Sequence, residues 1–246
     1  KKACLECEKP ITAIKVGSSA IGVKAAFAHT ASENKGHSNA EYDQLFEESG
    51  VLREKTWQEF LDTSLALGNC PPLRGDNVVI ITNGGGAGLL AADHFERLGM
   101  PLKELREISP DLRDNIRKYM PAFGSPLNPV DISGTATSDM YGGALKTAYR
   151  DENVDGILIS VCPTAVTDVE AITETVINIY RQYKNLGKPF IMECQGGNEC
   201  RAAIMQLRDK GIPAYSTPEQ AVNAMVALRR YSHIMNKKEK LIDNIE

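Results

Sequence analysis

The sequence predicts an α/β protein in which helices cover both faces of a parallel sheet. Three observations predict it. Four short runs, at 78–82, 154–162, 188–194 and 212–215, are apolar nearly throughout instead of alternating, as strands buried on both faces must be. The stretches between them carry apolar residues at helical spacing. The two kinds of segment alternate from about residue 75 to 235, the order expected of a flavodoxin-like, doubly wound domain.

Taken in order, "ITAIKVG" (11–17) reads as a β-branched strand stopped by Gly17-Ser18-Ser19, and residues 18–38 read as a loop. A helix is expected from about Asn39, its N-cap candidate, to Gly50, with Tyr42, Leu45 and Phe46 on one face. A second begins at "TWQE", where Thr56 and Glu59 have capping-box spacing and Trp57, Phe60, Leu61 and Leu65 form the apolar stripe. The Gly/Pro break "GNCPPLRG" (68–75) marks a boundary, so residues 1–74 and 75–235 are expected as separate domains, with 236–246 as a tail. Beyond it a strand (78–82), a glycine-rich turn and a helix at about 87–98 follow. Ser109 and Pro110 are placed as N-cap and N1 of the next helix. Helices are also expected at about 168–186, from Asn198, and from Pro218 with Thr217 as N-cap and Gln220 at N3.

The net charge of −4 gives no basic field for nucleic acid or an anionic membrane surface, and no apolar run reaches the ~18 residues a membrane span needs. The six cysteines, at 4, 7, 70, 162, 194 and 200, have no secretory context and read as reduced thiols of a cytoplasmic protein. Cys4 and Cys7 make a C-x-x-C pair without a second half, so no metal site is expected. The chain begins "KKACLECEKP", without an initiator methionine, and reads as an internal part of a longer polypeptide.

In doubly wound sheets ligands bind beyond the carboxyl ends of the strands. Three segments are candidates: "TNGGGAG" (82–88), "NPVDISG" (128–134) and "CPTAVTD" (162–168). In the first, Asn83, Gly84, Gly85, Gly86, Ala87 and Gly88 join a strand to a helix. Without Cβ atoms, backbone N–H groups can converge on an anion at the positive end of the helix. The spacing is neither G-x-G-x-x-G nor a Walker A loop, and tight strand–helix packing would ask for glycines as well. Of the four histidines, His29 follows a run of small apolar residues and opens a polar stretch. Imidazole is nucleophilic at neutral pH and can carry a phosphoryl group. His37 is expected to face solvent; His94 and His233 are expected to be structural.

Together these stretches resemble a family, the NDP-forming acyl-CoA synthetases, in particular α subunits of ADP-forming acetyl-CoA synthetases, relatives of succinyl-CoA synthetase. "KPITAIKVGSSAIGVKAAFAHTAS", "AEYDQLFEESGVLREKTWQEFLDTSLAL", "GDNVVIITNGGGAGLLAADHFERLGM", "NPVDISG", "NVDGILI", "KPFIMEC" and "GIPAYSTPEQAVNAMVAL" resemble the family's segments and follow in its order. The resemblance implies the reversible reaction acyl-CoA + ADP + phosphate ⇌ carboxylic acid + ATP + CoA, through an acyl phosphate and a phosphohistidine. His29 matches the phosphorylated position, on a loop expected to swing. Asn83–Gly88 matches one of two phosphate-stabilising helix ends, with Thr30, Asn128 and Asp131 as supporting neighbours.

ATP or ADP, CoA and phosphate are implied as substrates, with magnesium held by an ATP-grasp partner and not by this chain. That ATP-grasp β subunit or fused domain, an absent CoA-binding Rossmann domain and an oligomer are the implied partners. Two departures stand out. Ala28-His29-Thr30-Ala31 replaces the family's usual Ser-His-Thr-Gly, and the segment from His29 to Tyr42 is about two residues longer. Two other functions fit the sequence: a non-catalytic regulatory or assembly module on the same scaffold, attached to an acyltransferase, and a flavodoxin-like domain with unrelated ligand chemistry, although the glycine turn lacks any flavin-binding pattern.

Overall fold

The computed structural model describes residues 1–30 and 38–243. The first part runs α1 (Lys2–Glu6), β1 (Thr12–Ile14), α2 (Ala20–Thr30), α3 (Asn39–Ser49), β2 (Leu52–Glu54) and α4 (Trp57–Asn69). It continues with β3 (Val78–Thr82), α5 (Gly85–Arg97), α6 (Leu105–Ile108), α7 (Leu112–Arg117), β4 (Val130–Asp131) and α8 (Ser138–Arg150). Then come β5 (Gly156–Val161), α9 (Val169–Tyr183), β6 (Phe190–Cys194), α10 (Asn198–Asp209), β7 (Ala214–Tyr215) and α11 (Pro218–Asp243).

Strands β1 and β2 pair in parallel as a small sheet. The other five form a wholly parallel sheet in the order β4-β3-β5-β6-β7. Counted along the chain within that sheet, the order is 2-1-3-4-5, the flavodoxin-like winding that the alternation predicts. Strands β3, β5 and β6 are buried along their whole length, which is why they lack a polar face.

Two apolar clusters follow from the alternation of side chains across the sheet. Val79, Ile81, Ile157, Ile159, Phe190 and Met192 face Tyr141, Leu145, Ile172 and Val176 of α8 and α9. Val78, Ile80, Leu158, Ile191 and Tyr215 face Ala66 of α4, Phe95 of α5 and Met225 of α11.

Several expectations are corrected. The loop expected over 18–38 contains α2, started by Ser19, whose Oγ accepts from Gly22 N at 3.1 Å. Ser38, not Asn39, caps α3, and it forms a reciprocal box with Glu41. Gly50 ends that helix in the left-handed conformation at φ 67°.

The Thr56–Glu59 box is present on α4, but only part of the expected apolar stripe turns inward: Trp57 and Leu61 are exposed, Phe60 is half-buried, Leu65 packs against the core, and Asp62, Thr63 and Ala66 are buried. The reason is polar docking. Tyr215 donates to the Asp62 carbonyl at 2.8 Å, Gln220 Nε2 to Asp62 Oδ1 at 3.2 Å, and Thr63 to Glu54 Oε1 at 3.2 Å. Arg230 of α11 pairs with the same glutamate at 3.1 Å. Helix α7 begins at Leu112, two residues beyond the expected Pro110 start, and its N-cap Asp111 makes no side-chain cap.

Helices α1, α6 and α8 and strands β2 and β4 have no counterpart in the sequence reading. Cys194 and Cys200, expected as free thiols, are joined as a disulfide, with Cα atoms 5.3 Å apart. The tail, expected as a solvated helix or a frayed end, is helical as the continuation of α11 to Asp243, and Lys238 Nζ donates to the Cys4 carbonyl at 2.8 Å. Among the described residues no helix is long and apolar enough to cross a membrane.

Candidate functional site

From β3 the chain leaves through α5 to the edge strand β4, and only later returns through α8 to β5 on the other side of β3. Helices α5 and α8 lie on opposite faces, so the carboxyl ends of β3 and β5 flank the crevice at which doubly wound folds hold ligands. Asn83 bridges that crevice. Its Nδ2 donates to the Cys162 carbonyl at 2.9 Å, and its Oδ1 accepts from Cys162 N at 2.8 Å. One side chain thus extends the β3–β5 ladder by a further step. The Tyr141 hydroxyl lies 3.0 Å from Asn83 Oδ1 and 2.9 Å from the Ser160 carbonyl, and burial raises its pKa far above the usual phenol, so it stays a neutral donor. The Asn83 side chain, expected at the phosphate, is used in holding the two strand ends together.

The turn itself is set by Thr82, whose Oγ1 accepts from Gly84 N at 3.0 Å. Helix α5 starts at Gly85 with Gly84 as N-cap, so no side chain caps the amides of Gly85, Gly86 and Ala87. Three of the glycines have close neighbours, and at Gly85 the neighbour is only the tip of the Asp131 side chain. A Cβ on Gly84 would lie 2.6 Å from Cys162 Sγ, one on Gly85 2.7 Å from Asp131 Oδ2, and one on Gly88 3.0 Å from Pro129 Cβ. Gly86 differs, since a Cβ there meets nothing described within 4 Å. The two readings of the turn therefore divide by position: Gly84, Gly85 and Gly88 let elements approach, and Gly86 leaves open space in front of uncapped amides. That arrangement can hold a tetrahedral anion by backbone donors and the helix dipole.

Asp131 sits beside this helix end, with Oδ1 accepting from Ser133 N at 2.8 Å. An arriving anion shares the helix end with that carboxylate. Asn128 is elsewhere. Its side chain bonds Ile80 N at 3.1 Å, the Val78 carbonyl at 2.8 Å and the Lys103 carbonyl at 2.9 Å. It pairs with β3 as a missing edge residue would, toward the strand's start, roughly 13 Å from the turn at the usual rise per residue.

His29 is the penultimate residue of α2 and Thr30 the last; their side chains, and Ala31 and His37 altogether, lie outside the described residues. His29 and the glycine turn are carried by separate elements, with no described hydrogen bond between them. Helix α2 exposes Ile21 and Val23, and Val16 before it is exposed as well. His94 joins α5 to α11 through Asn223 at 2.8 Å, while the His233 side chain is exposed. No group of three or more metal-ligating side chains occurs among the described residues.

The sequence reading missed a second polar cluster on the floor of the crevice. Thr82, Ser160 and Glu193 follow Ile80, Leu158 and Ile191 by two residues and so share the face toward α5 and α11. Ser160 donates to Glu193 Oε2 at 2.6 Å. Glu193 is fully buried, and burial raises its carboxyl to about 7. Burial likewise pushes the Cys162 thiol up to about 11. The available signal was the charge inside "KPFIMEC", the one ionised residue of strand β6.

A doubly wound α/β fold with an uncapped glycine turn at its switch point defines the class. The chain belongs to the ligase-CoA domain family, whose model matches residues 78–237, and the model of the succinyl-CoA ligase like flavodoxin domain matches residues 2–67. It is 42% identical over 237 residues to the α subunit of the ADP-forming acetate–CoA ligase I of Pyrococcus furiosus, an alignment covering 95% of this chain and 49% of that one. It is 32% identical over 238 residues to ADP-forming acetate–CoA ligase I of Archaeoglobus fulgidus, covering 97% of this chain and 32% of the other. The dinucleotide forming acetyl-coenzyme A synthetase 1 of Ca. Korarchaeum cryptofilum, solved in complex with phosphate and ADP, superposes with a TM-score of 0.88 at 33% identity, over 97% of this chain and 50% of that chain. The chain thus spans about half or less of the length of these relatives.

Proposed function

We propose that this chain is the part of an ADP-forming acyl-CoA ligase that carries and stabilises a phosphoryl group, in the reaction acyl-CoA + ADP + phosphate ⇌ carboxylic acid + ATP + CoA. The observation that carries the reading is the open helix end at Gly86, in a chain so similar to ADP-forming ligase subunits. Phosphate oxygen attacks the thioester carbonyl, forming an acyl phosphate and releasing CoA. A ring nitrogen of His29 then attacks phosphorus, the carboxylate leaves with the electrons of the cleaved P–O bond, and the phosphohistidine passes its phosphoryl group to ADP.

The α5 amides offset the charge of the phosphoryl group at one station of this path. They need no reorganisation, because Asn83 and Tyr141 hold the strand ends behind them. An ATP-grasp subunit or fused domain supplies the nucleotide and its magnesium, a CoA-binding domain supplies the thioester, and the assembled enzyme is an oligomer. The outward apolar faces of α2 and α4 fit such partners. Acetate is the first carboxylate to test, on the similarity to acetate–CoA ligases.

The test is reconstitution with the nucleotide-binding partner and measurement of ATP formed from acetyl-CoA, ADP and phosphate. Activity that disappears in His29→Asn and loses phosphate affinity in Gly86→Leu supports the reading. Undiminished ATP formation by His29→Asn overturns it.

A further inference from the structure

We propose that Glu193 is a positioning residue whose charge sets how tightly the glycine turn holds a tetrahedral anion, an inference that rests on the reading of the turn as a phosphate-stabilising helix end. Its carboxyl is fully buried, and Oε2 accepts from Ser160 Oγ at 2.6 Å. Among the described residues, Oε1 has no hydrogen bond of ordinary geometry, although the Gln195 side-chain amide just beyond β6 lies near enough to favour the ionised form. Ser160 and Cys162 share a face of β5, and the Cys162 sulfur is the atom that a Cβ on Gly84 would strike at 2.6 Å. Glu193, Ser160, Cys162 and Gly84 therefore follow one another across the crevice floor, from a buried carboxyl to the N-cap of α5.

Hydrogen bonds from Ser160 and Gln195 favour the ionised carboxyl, but no cation neutralises it. Glu219 acts on it from α11, while Cys162 on β5 and Tyr141 on α8 feel its charge together with that of Asp131 on β4. Tyr215 lies opposite on β7, with Asp62 of α4 beyond it. Helix α5 presents glycines here; its Asp93 and His94 come in its second half. No cation acts on the carboxyl among these. With burial holding its pKa at about 7, Glu193 changes charge across the neutral range. Two strand spacings separate β6 from β3, so the carboxyl lies at least about 10 Å from the turn, a range at which a charge in a medium of intermediate dielectric still changes the affinity for a dianion on the order of tenfold. Neutral, Glu193 leaves the helix end free to attract an anion; ionised, it opposes one. Linkage makes the effect reciprocal, so a bound anion favours the protonated carboxyl.

The probe is sulfate, a dianion throughout the relevant pH range, titrated calorimetrically into the full 246-residue chain between pH 6 and 8. The wild type is expected to lose about fivefold in sulfate affinity over that range, since a tenfold full difference is only partly traversed between pH 6 and 8 with a pKa of about 7. Glu193→Gln, which keeps an acceptor for Ser160 and cannot ionise, should hold the pH 6 affinity throughout. Ser160→Ala removes a hydrogen bond that favours the ionised form, so its loss of affinity should move to higher pH. Parallel profiles for wild type and Glu193→Gln, or an unmoved profile in Ser160→Ala, overturn the role of Glu193 while leaving the turn in place. Sulfate binding that persists unchanged in Gly86→Leu overturns the reading of the turn itself.

Discussion

Single added methyl groups along the glycine turn should have opposite effects, and the structure gives the sign at each position. At Gly86 a Cβ meets no described atom within 4 Å, and the residue is inside α5. Gly86→Ala therefore removes backbone freedom from the unfolded chain without a clash, and should stabilise by about 0.5–1 kcal/mol. At Gly84 the same atom would lie 2.6 Å from Cys162 Sγ and 2.8 Å from its Cβ. Because the stem of the side chain is involved as well as its tip, β5 or the turn must move, at about 1–3 kcal/mol. Gly88→Ala, 3.0 Å from Pro129 Cβ and Thr82 Cγ2, falls between the two.

In a protein of 246 residues each kcal/mol moves the melting midpoint by roughly 2–4 °C. Thermal unfolding should therefore place Gly86→Ala slightly above wild type and Gly84→Ala several degrees below it. The division of the turn into packing glycines and one open position is refuted if Gly86→Ala melts lower than wild type or Gly84→Ala melts with it.

Two further outcomes follow from buried charge. Glu193 has a folded-state pKa of about 7, above its ordinary value of 4.5, so between these values the folded state binds the more protons and stability falls as pH rises. The total loss is on the order of 3 kcal/mol, complete above pH 7, and Glu193→Gln should flatten that stretch of the stability profile; an unchanged slope would contradict the assignment. Arg230→Ala leaves Glu54 buried with only Thr63 as a partner. Since the arginine is itself 44% exposed, the loss should be about 1–2 kcal/mol, less than for a fully buried pair, as measured by denaturant unfolding at neutral pH.

The sheet was legible in the sequence because burial on both faces leaves a direct mark: strands such as "VVIIT" and "GILISV" have no polar side. Strand β4 left no such mark. Two residues long, it is completed by the Asn128 side chain, a contact that no periodicity encodes. Helix α2 was read as loop because amphipathic spacing marks a helix only where one face is buried within the chain, and this helix exposes Ile21 and Val23. The α4 face is rotated from the expected one, with Leu65 kept inside, for a related reason. Asp62 and Thr63 are drawn inward by partners on β7, α11 and β2, and Trp57 is left outside.

At the site, the glycine turn was legible from its position between strand and helix. What each glycine does was not, because that depends on Cys162, Asp131 and Pro129, brought alongside only by the fold. Glu193 was missed because one charge inside an apolar run carries no spacing signal, although its isolation there was itself the clue.

The most direct measurement concerns His29. The chain, assembled with the nucleotide-binding partner proposed for it, is incubated with ATP labelled in the γ-phosphate, and the labelled peptide is isolated and mapped by mass spectrometry under alkaline conditions. The account predicts a base-stable, acid-labile phosphoryl group on His29 that transfers to ADP and is absent from His29→Asn. A label of equal stoichiometry in that variant, or one mapped to another residue, would contradict it.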